Sequence, residues 1–265
     1  MVQRADIDAY WEDPKTVSLL DTNLRALEES VVLEYLDGRS RLADLGCGAG
    51  ESTIRYAPKA ASCLALEKSN HLRSLAAERF RQAGLTNIEL RSGSLDDLGL
   101  YDQCFDIAVT QRVLINLPTW QEQQQAILNI YATISPGGRY IMIENTYEGA
   151  ENLNRLRRKV DLPNVPLHWH NNFLHHQVLL DLLRPLFTIE RIATFDLYYL
   201  LTRVFVNMFA SFEGYGAAAK SDEIFKRSDA AARRLFEVAG ADVSIRLNSG
   251  SSFGPIQAFV LRKIS

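Results

Sequence analysis

The chain predicts a doubly wound α/β fold, built on a mostly parallel sheet of seven strands with a helical cap inserted between the last two. Three observations predict it. Short apolar runs alternate with helical patterns from residue 42 to residue 145, giving five strand–helix units. The first run, Leu42-Ala43-Asp44-Leu45, ends in a turn with glycines at 46, 48 and 50. Two more strand patterns, Phe187 to Phe195 and Ile256 to Arg262, close the chain on either side of about sixty irregular residues.

Composition bounds the rest. Apolar residues make up 47% of 265, enough for the core of one large domain or one domain with an insertion. The net charge of −3 gives no general attraction to nucleic acid or to an anionic membrane. Cys47, Cys63 and Cys104 are far apart and read as small buried residues in a reducing compartment. The first residues carry Asp6, Asp8, Glu12 and Asp13 rather than a basic-then-apolar leader, and no run of about 18 apolar residues occurs. The expectation is a cytoplasmic protein.

The elements follow in order. Asp21 to Leu36 has helical apolar spacing, stopped by Asp37-Gly38. After the glycine turn, Glu51 opens a helix that Pro58 closes. Cys63 to Glu67 is a second buried strand. Ser69 caps a helix that runs to Gly84. Ile88 to Arg91 and Phe105 to Val109 are the third and fourth strands. Pro118 starts a helix through Ile134, Ser135-Pro136-Gly137-Gly138 turns, and Arg139 to Asn145 is the fifth strand. Asn152 to Lys159 reads as a short basic helix with a solvated face, and Leu174 to Arg184 as a helix stopped by Pro185. In the insertion, Tyr198, Leu201, Phe205, Met208, Phe212 and Tyr215 lie three or four apart and form one helical face. That face is expected to pack against the sheet domain. A second helix is expected from about Asp222 to Val238.

The glycine turn carries the functional reading. Glycines there admit positive φ and remove the Cβ atoms that would hold a ligand off the backbone. The free N–H groups of the next helix point into the same space. A dinucleotide pattern would need a third glycine at position 51, where Glu51 stands. A negative side chain there disfavours a pyrophosphate and suits a ligand that carries a cation. The spacing D-x-G-x-G-x-G from Asp44 to Gly50 resembles the first motif of the class I S-adenosylmethionine-dependent methyltransferases. Ser-Pro-Gly-Gly before an apolar strand is a further family feature. The resemblance covers residues 42 to 145.

The resemblance implies a Rossmann-like core of residues 39–195 with 255–265, an N-terminal helical cap of residues 1–38, and an inserted acceptor or cap region of residues 196–254. It implies that strands six and seven form an edge hairpin with the last strand antiparallel. S-adenosylmethionine is the implied cofactor, held by Asp44, Gly46, Cys47, Gly48, Gly50, Glu67 and Lys68. Glu67, at the end of the second strand, would accept from both ribose hydroxyls. The family often has Gly-Asp-Ala after the third strand; this chain has Ser94 in place of that Asp, so adenine contact passes to Ser94, Leu95 or Asp96. Gln111 would lie near the sulfonium. Tyr10 and Trp11 would fold over the ligands, and Glu144, Asn145, Tyr147 and Trp169 would face the acceptor.

The expected reaction is methyl transfer to a small-molecule acceptor, an oxygen of a sugar or a secondary metabolite. If the acceptor is a hydroxyl, a base is needed, and His168 and His170 in a Pro-rich loop are the candidates. No metal is expected: Gln111 and Arg112 stand where a catechol-type enzyme has acids. The Asn/Asp-Pro-Pro-Tyr signature of DNA amine methylation is absent and the net charge is slightly negative, so nucleic acid is not expected as a partner; with no long apolar run, neither is a membrane. Two rivals remain open at this point: a non-catalytic S-adenosylmethionine-binding regulatory or scaffold protein, and an NAD-dependent oxidoreductase.

Overall fold

A computed structural model describes residues 2–16, 21–102, 104–208, 223–239 and 252–264. Helices α1 (Arg4–Glu12) and α2 (Thr22–Leu33) precede the sheet. The core alternates β1 (Arg41–Leu45), α3 (Thr53–Tyr56), β2 (Ser62–Glu67), α4 (Asn70–Gln82), β3 (Ile88–Ser92), β4 (Phe105–Gln111), α5 (Trp120–Thr133) and β5 (Ile134–Asn145). It continues with α6 (Tyr147–Lys159), α7 (His176–Leu183) and β6 (Phe187–Thr194). Then come α8 (Asp196–Tyr199), a π-helical stretch (Leu200–Phe205), α9 (Glu223–Ala239) and β7 (Ile256–Lys263).

The seven strands form one sheet in the order β3-β2-β1-β4-β5-β7-β6. The first five are parallel, and β7 runs antiparallel between β5 and β6. The order reverses between β1 and β4, so the carboxyl ends of those strands open a crevice. Alternation along each strand feeds two cores. Leu42, Ile107 and Val109 face the cluster that holds Val31 and Val32 of α2, whereas Ala43, Leu45 and Ala108 face Ile127 and Ile130 of α5. Both faces are apolar because helices cover both.

Local chemistry sets the helix starts. Asp21 accepts from the Leu24 amide to cap α2, and Ser69 accepts from the Leu72 amide to cap α4. Thr119 and Glu122 form a capping box, so α5 starts at Trp120 rather than at Pro118. The Ser135-Pro136-Gly137-Gly138 stretch is not a free turn. It is part of β5, with a register shift opposite Phe105 and Ile107. A Cβ on Gly138 would come within 2.8 Å of the Asp106 carbonyl oxygen, which is why glycine stands there.

The expected insertion lies between β6 and β7, and its helices dock on α2. Tyr198 donates to Asp21 at 2.9 Å and Asn23 donates to Asp229 of α9 at 2.6 Å. Arg203 pairs with Asp21, joining the π-helical stretch to the same cap. Tyr198 is buried as expected and Leu201 and Met208 pack against the same core, but Phe205 between them is 46% exposed. The π-helical stretch shifts the phase of the face. Phe212 and Tyr215 lie outside the described residues, as does Asp222. In the basic helix Arg155, Arg158 and Lys159 are exposed as expected, but Arg157 is not. Arg157 is buried and donates to the Pro163 carbonyl oxygen at 2.7 Å and to that of Arg203, which pins the loop after α6.

Candidate active site

A cavity of about 800 Å³ occupies the crevice at the carboxyl ends of β1, β2, β4 and β5. That is within the range of ~300–1,000 Å³ for small-molecule sites. One end is lined by Gly46, Gly48, Glu67, Lys68, Ser94 and Leu95. The other end is lined by Asn145, Leu153, Val165, His170, Tyr199 and Arg203, with Gln111 and Arg112 between.

The turn explains the first end. Gly46, Gly48 and Gly50 have φ of +80°, +57° and +76°. They are required for different reasons. A Cβ on Gly50 would meet Phe80 of α4 at 2.5 Å, and one on Gly46 would meet Val113 at 2.6 Å. A Cβ on Gly48 would meet nothing within 4 Å, so here the bare backbone borders open space. Glu67 comes back to this point from β2. Its carboxylate accepts from the Gly48 amide at 2.8 Å and the Ser69 amide at 2.8 Å. Burial raises its pKa despite those bonds.

Asp44 does not line the cavity. It is buried, accepts from Thr53 at 2.6 Å and so ties the turn to α3. Burial pushes its pKa up to about 6. Cys47 packs on the Ala65, Ala76 and Phe80 cluster, and Gly50 faces α4; neither lines the cavity. Asp96 is turned to Arg4 of α1 at 2.5 Å, whereas Ser94 and Leu95 do line the cavity. Glu51, expected to face a cation, instead lies between Arg25 at 3.4 Å and Arg79 at 3.7 Å.

Helix α1 covers the cavity from this end across to His170 and supplies Tyr10 and Trp11 to the wall. Glu12 accepts from the Asn70 and His71 amides at 2.7 and 3.1 Å, completing the N-terminus of α4. Lys68 pairs with Asp8 at 2.5 Å, and the Ser69 hydroxyl donates to the Trp11 carbonyl oxygen at 3.0 Å.

The floor between the two ends is a polar network. Gln111 donates to the fully buried Glu28 of α2, and Arg112 pairs with the same carboxylate at 2.5 Å. Arg112 has φ of +57°, an uncommon conformation for a residue with a side chain. Its amide donates to the Ile143 carbonyl oxygen at 2.8 Å, so β4 is held while the chain turns. Glu144 lies beneath, outside the cavity. It accepts from the amides of Val113, Leu114 and Ile115 at 2.9, 3.0 and 3.4 Å, and burial pushes its pKa up to about 7.

At the far end His170 is buried and stacks on Tyr10 with 4.3 Å between centroids. Burial, then the neighbouring His168, pushes its pKa down to about 4. His168 stacks on it at 5.6 Å and also lines the cavity. Trp169 is 53% exposed and Tyr147 stacks on His175, so neither borders the cavity. Asn145 does. Sequence reasoning did not single out Tyr199, Arg203 or Glu28. Tyr199 follows the stripe residue Tyr198 by one position and Arg203 follows Leu201 by two, but only the docking of α8 and the π-helical stretch on α2 turns them inward. Glu28 had no signal beyond an acid on an apolar helix face.

Comparison with known proteins agrees with this geometry. Residues 42–138 match the family model described as a methyltransferase domain. An uncharacterized methyltransferase of Schizosaccharomyces pombe is 28% identical over 147 residues, covering 50% of this chain and 48% of its own. An O-methyltransferase of Aspergillus nomiae is 26% identical over 163 residues, covering 59% and 70%. The chain thus spans about half the length of the first of these relatives. The crystal structure of the N-methyltransferase NodS from Bradyrhizobium japonicum, in complex with S-adenosyl-L-homocysteine, superposes with a TM-score of 0.58. That match covers 99% of this chain and 98% of NodS at 13% identity, a likeness of fold. Residues 42–138 are thus similar to a methyltransferase domain, and the sheet order around the cavity agrees with that similarity.

Proposed function

We propose that this chain transfers a methyl group from S-adenosylmethionine to an oxygen of a small-molecule acceptor, a sugar or a secondary metabolite, without a metal ion. One observation carries the reading. A single cavity joins the open backbone at Gly48 and the fixed carboxylate of Glu67 to a second, largely apolar end at Leu153, Val165 and Tyr199. A protein that only bound the cofactor would have no use for that second end. The Aspergillus relative, an O-methyltransferase, supports oxygen as the atom methylated.

The residues present fit the cofactor. Open space at Gly48 admits a ligand to bare backbone, and Glu67 is already aligned by two amides to accept from ribose hydroxyls. Ser94 and Leu95 border the adenine end, and Gln111, anchored on Glu28, borders the middle. When bound, the cofactor supplies a methyl group already activated on a sulfonium. The chain then has to align the acceptor and keep water out. Orientation of this kind can supply about 7–11 kcal/mol of barrier reduction. Helix α1 and the 161–175 loop cover the cavity for the second task. His170 is a poor proton acceptor with its pKa pushed down to about 4, which leaves His168 as the candidate base. Among the described residues no three His, Cys, Asp or Glu side chains converge as a metal site, and Gln111 with Arg112 occupies the strand end.

Calorimetry with S-adenosyl-L-homocysteine and with NAD tests the cofactor half: micromolar binding of the former and far weaker binding of the latter are expected. Tighter NAD binding would overturn the assignment. Incubation with methyl-labelled S-adenosylmethionine and a panel of sugars and phenols tests the acceptor half, read as label moved to an oxygen. Label found only on nitrogen or carbon would refute the oxygen assignment.

A further inference from the structure

Among the described residues, Oδ1 of Asn145 and Nδ1 of His170 are buried polar atoms of the cavity lining with no hydrogen-bond partner. Both residues are more than nine-tenths buried, at 8% and 7% exposure. Leaving such an atom unsatisfied costs about 1–3 kcal/mol, so native chains rarely keep one without a use. Here both residues line one cavity, His170 beneath the α1 rings and Asn145 at the end of β5. Around them the lining is mainly apolar, with Leu153, Val165, Leu167, Phe173, Tyr199 and Ile256, and includes the polar side chains of Asn154, His168 and Asn171. The two cations nearby, Arg112 and Arg203, are matched by the carboxylates of Glu28 and Asp21. This part of the cavity is therefore mainly apolar, its two arginines are matched, and it is short of two hydrogen bonds.

We infer that Asn145 and His170 each read a hydroxyl group of an uncharged, mainly apolar acceptor, which supplies the partner that atom lacks. The inference rests on the methyl-transfer reading and narrows its acceptor class. A hydroxyl is the group that fits both positions, because it donates and accepts. The amide oxygen of Asn145 needs a donor, and a neutral imidazole nitrogen needs a donor or an acceptor according to its tautomer. An ammonium or a carboxylate would arrive in an apolar pocket with no free counter-charge and would bear the full desolvation penalty. Both atoms are closed off from solvent, so the acceptor must displace a neighbour to reach them. At His170 that neighbour is the Tyr10 ring, carried on α1. His170 is thus a binding residue here, and the base, where one is needed, lies elsewhere.

The test uses the full chain saturated with S-adenosyl-L-homocysteine and three matched probes: 2-naphthol, naphthalene and 2-naphthoate. Binding is followed by ligand-observed NMR. The naphthol is expected to bind at least tenfold more tightly than the other two. The Asn145→Leu and His170→Phe variants should remove most of that preference. Because each replaces an unpartnered polar group by an apolar one of similar size, each should keep or raise the melting temperature. Equal binding of the three probes, or an unchanged naphthol preference in both variants, overturns the inference. A melting temperature lowered by many degrees also overturns it, since the polar atoms would then have partners within the protein. Binding of S-adenosyl-L-homocysteine to the unaltered chain is measured first. Its failure would count against methyl transfer, whereas its success with indifferent probes counts against the hydroxyl alone.

Discussion

Gly48 and Gly50 share one turn and one backbone conformation, yet a methyl group added to each would meet different things. At Gly50 it meets the Phe80 ring at 2.5 Å, and at Gly48 it meets open cavity. Gly50→Ala therefore combines a left-handed backbone penalty with overpacking, and should destabilise by about 2–5 kcal/mol in denaturant unfolding. Gly48→Ala should destabilise by only about 1–2 kcal/mol. It should nevertheless weaken S-adenosyl-L-homocysteine binding at least tenfold, since the new methyl occupies the ligand's space. Glu67→Ala should also weaken that binding tenfold or more; an unchanged dissociation constant would remove Glu67 from the ribose site. Glu144 gives a residue-scale pH effect. Its carboxyl is raised from 4.5 to about 7, so between those values the folded state holds the proton that the unfolded state has lost. Stability from this group is complete below pH 4.5 and declines as pH rises through 7, by about 3 kcal/mol. Glu144→Gln should lack that decline, as urea unfolding at pH 4.5 and 7.5 would show.

At the scale of elements, α1 is fixed mainly by polar ties, with Ile7 as its buried apolar residue. The Asp8–Lys68 and Arg4–Asp96 pairs are largely exposed and weaken in salt. The Glu12 bonds to the first amides of α4 are the directional tie. Glu12→Ala should therefore speed amide exchange across α1 without lowering the melting temperature by more than a few degrees. It should also raise the dissociation constant for the cofactor, because α1 roofs that end of the cavity. An α1 that stays protected from exchange in this variant would show that the aromatic contacts of Tyr10 and Trp11 suffice.

At the scale of the whole molecule, Asp21 joins the sheet domain to the insertion. It caps α2, accepts from Tyr198 at 2.9 Å and pairs with the buried Arg203. Asp21→Ala removes all three and leaves a guanidinium short of its counter-charge in a low-dielectric site. A loss of about 3–5 kcal/mol is expected, read as a lower unfolding midpoint.

The sequence by itself determined the sheet and one end of the cavity. Both are written locally: apolar runs of strand length, caps at Ser69 and Asp21, and glycines whose positive φ only that residue adopts readily. A contact between neighbours in sequence, or between a turn and the next strand end, needs no knowledge of the rest of the chain. Residues whose role depends on distant elements were not legible in that way. Glu144 and Asp44 look like ligand contacts because they end strands, but each is taken up by amides or a hydroxyl of its own crevice wall. Trp169 and Tyr147 look like acceptor walls but stack outside the cavity. Arg203 and Tyr199 stand out in no sequence pattern, and the docking of the insertion on α2 turns them into wall. Tertiary structure decided these because side-chain direction in a loop or a cap follows from which helix it packs against. That choice is made by contacts more than a hundred residues apart in the chain, such as Tyr198 on Asp21, and leaves no periodic trace.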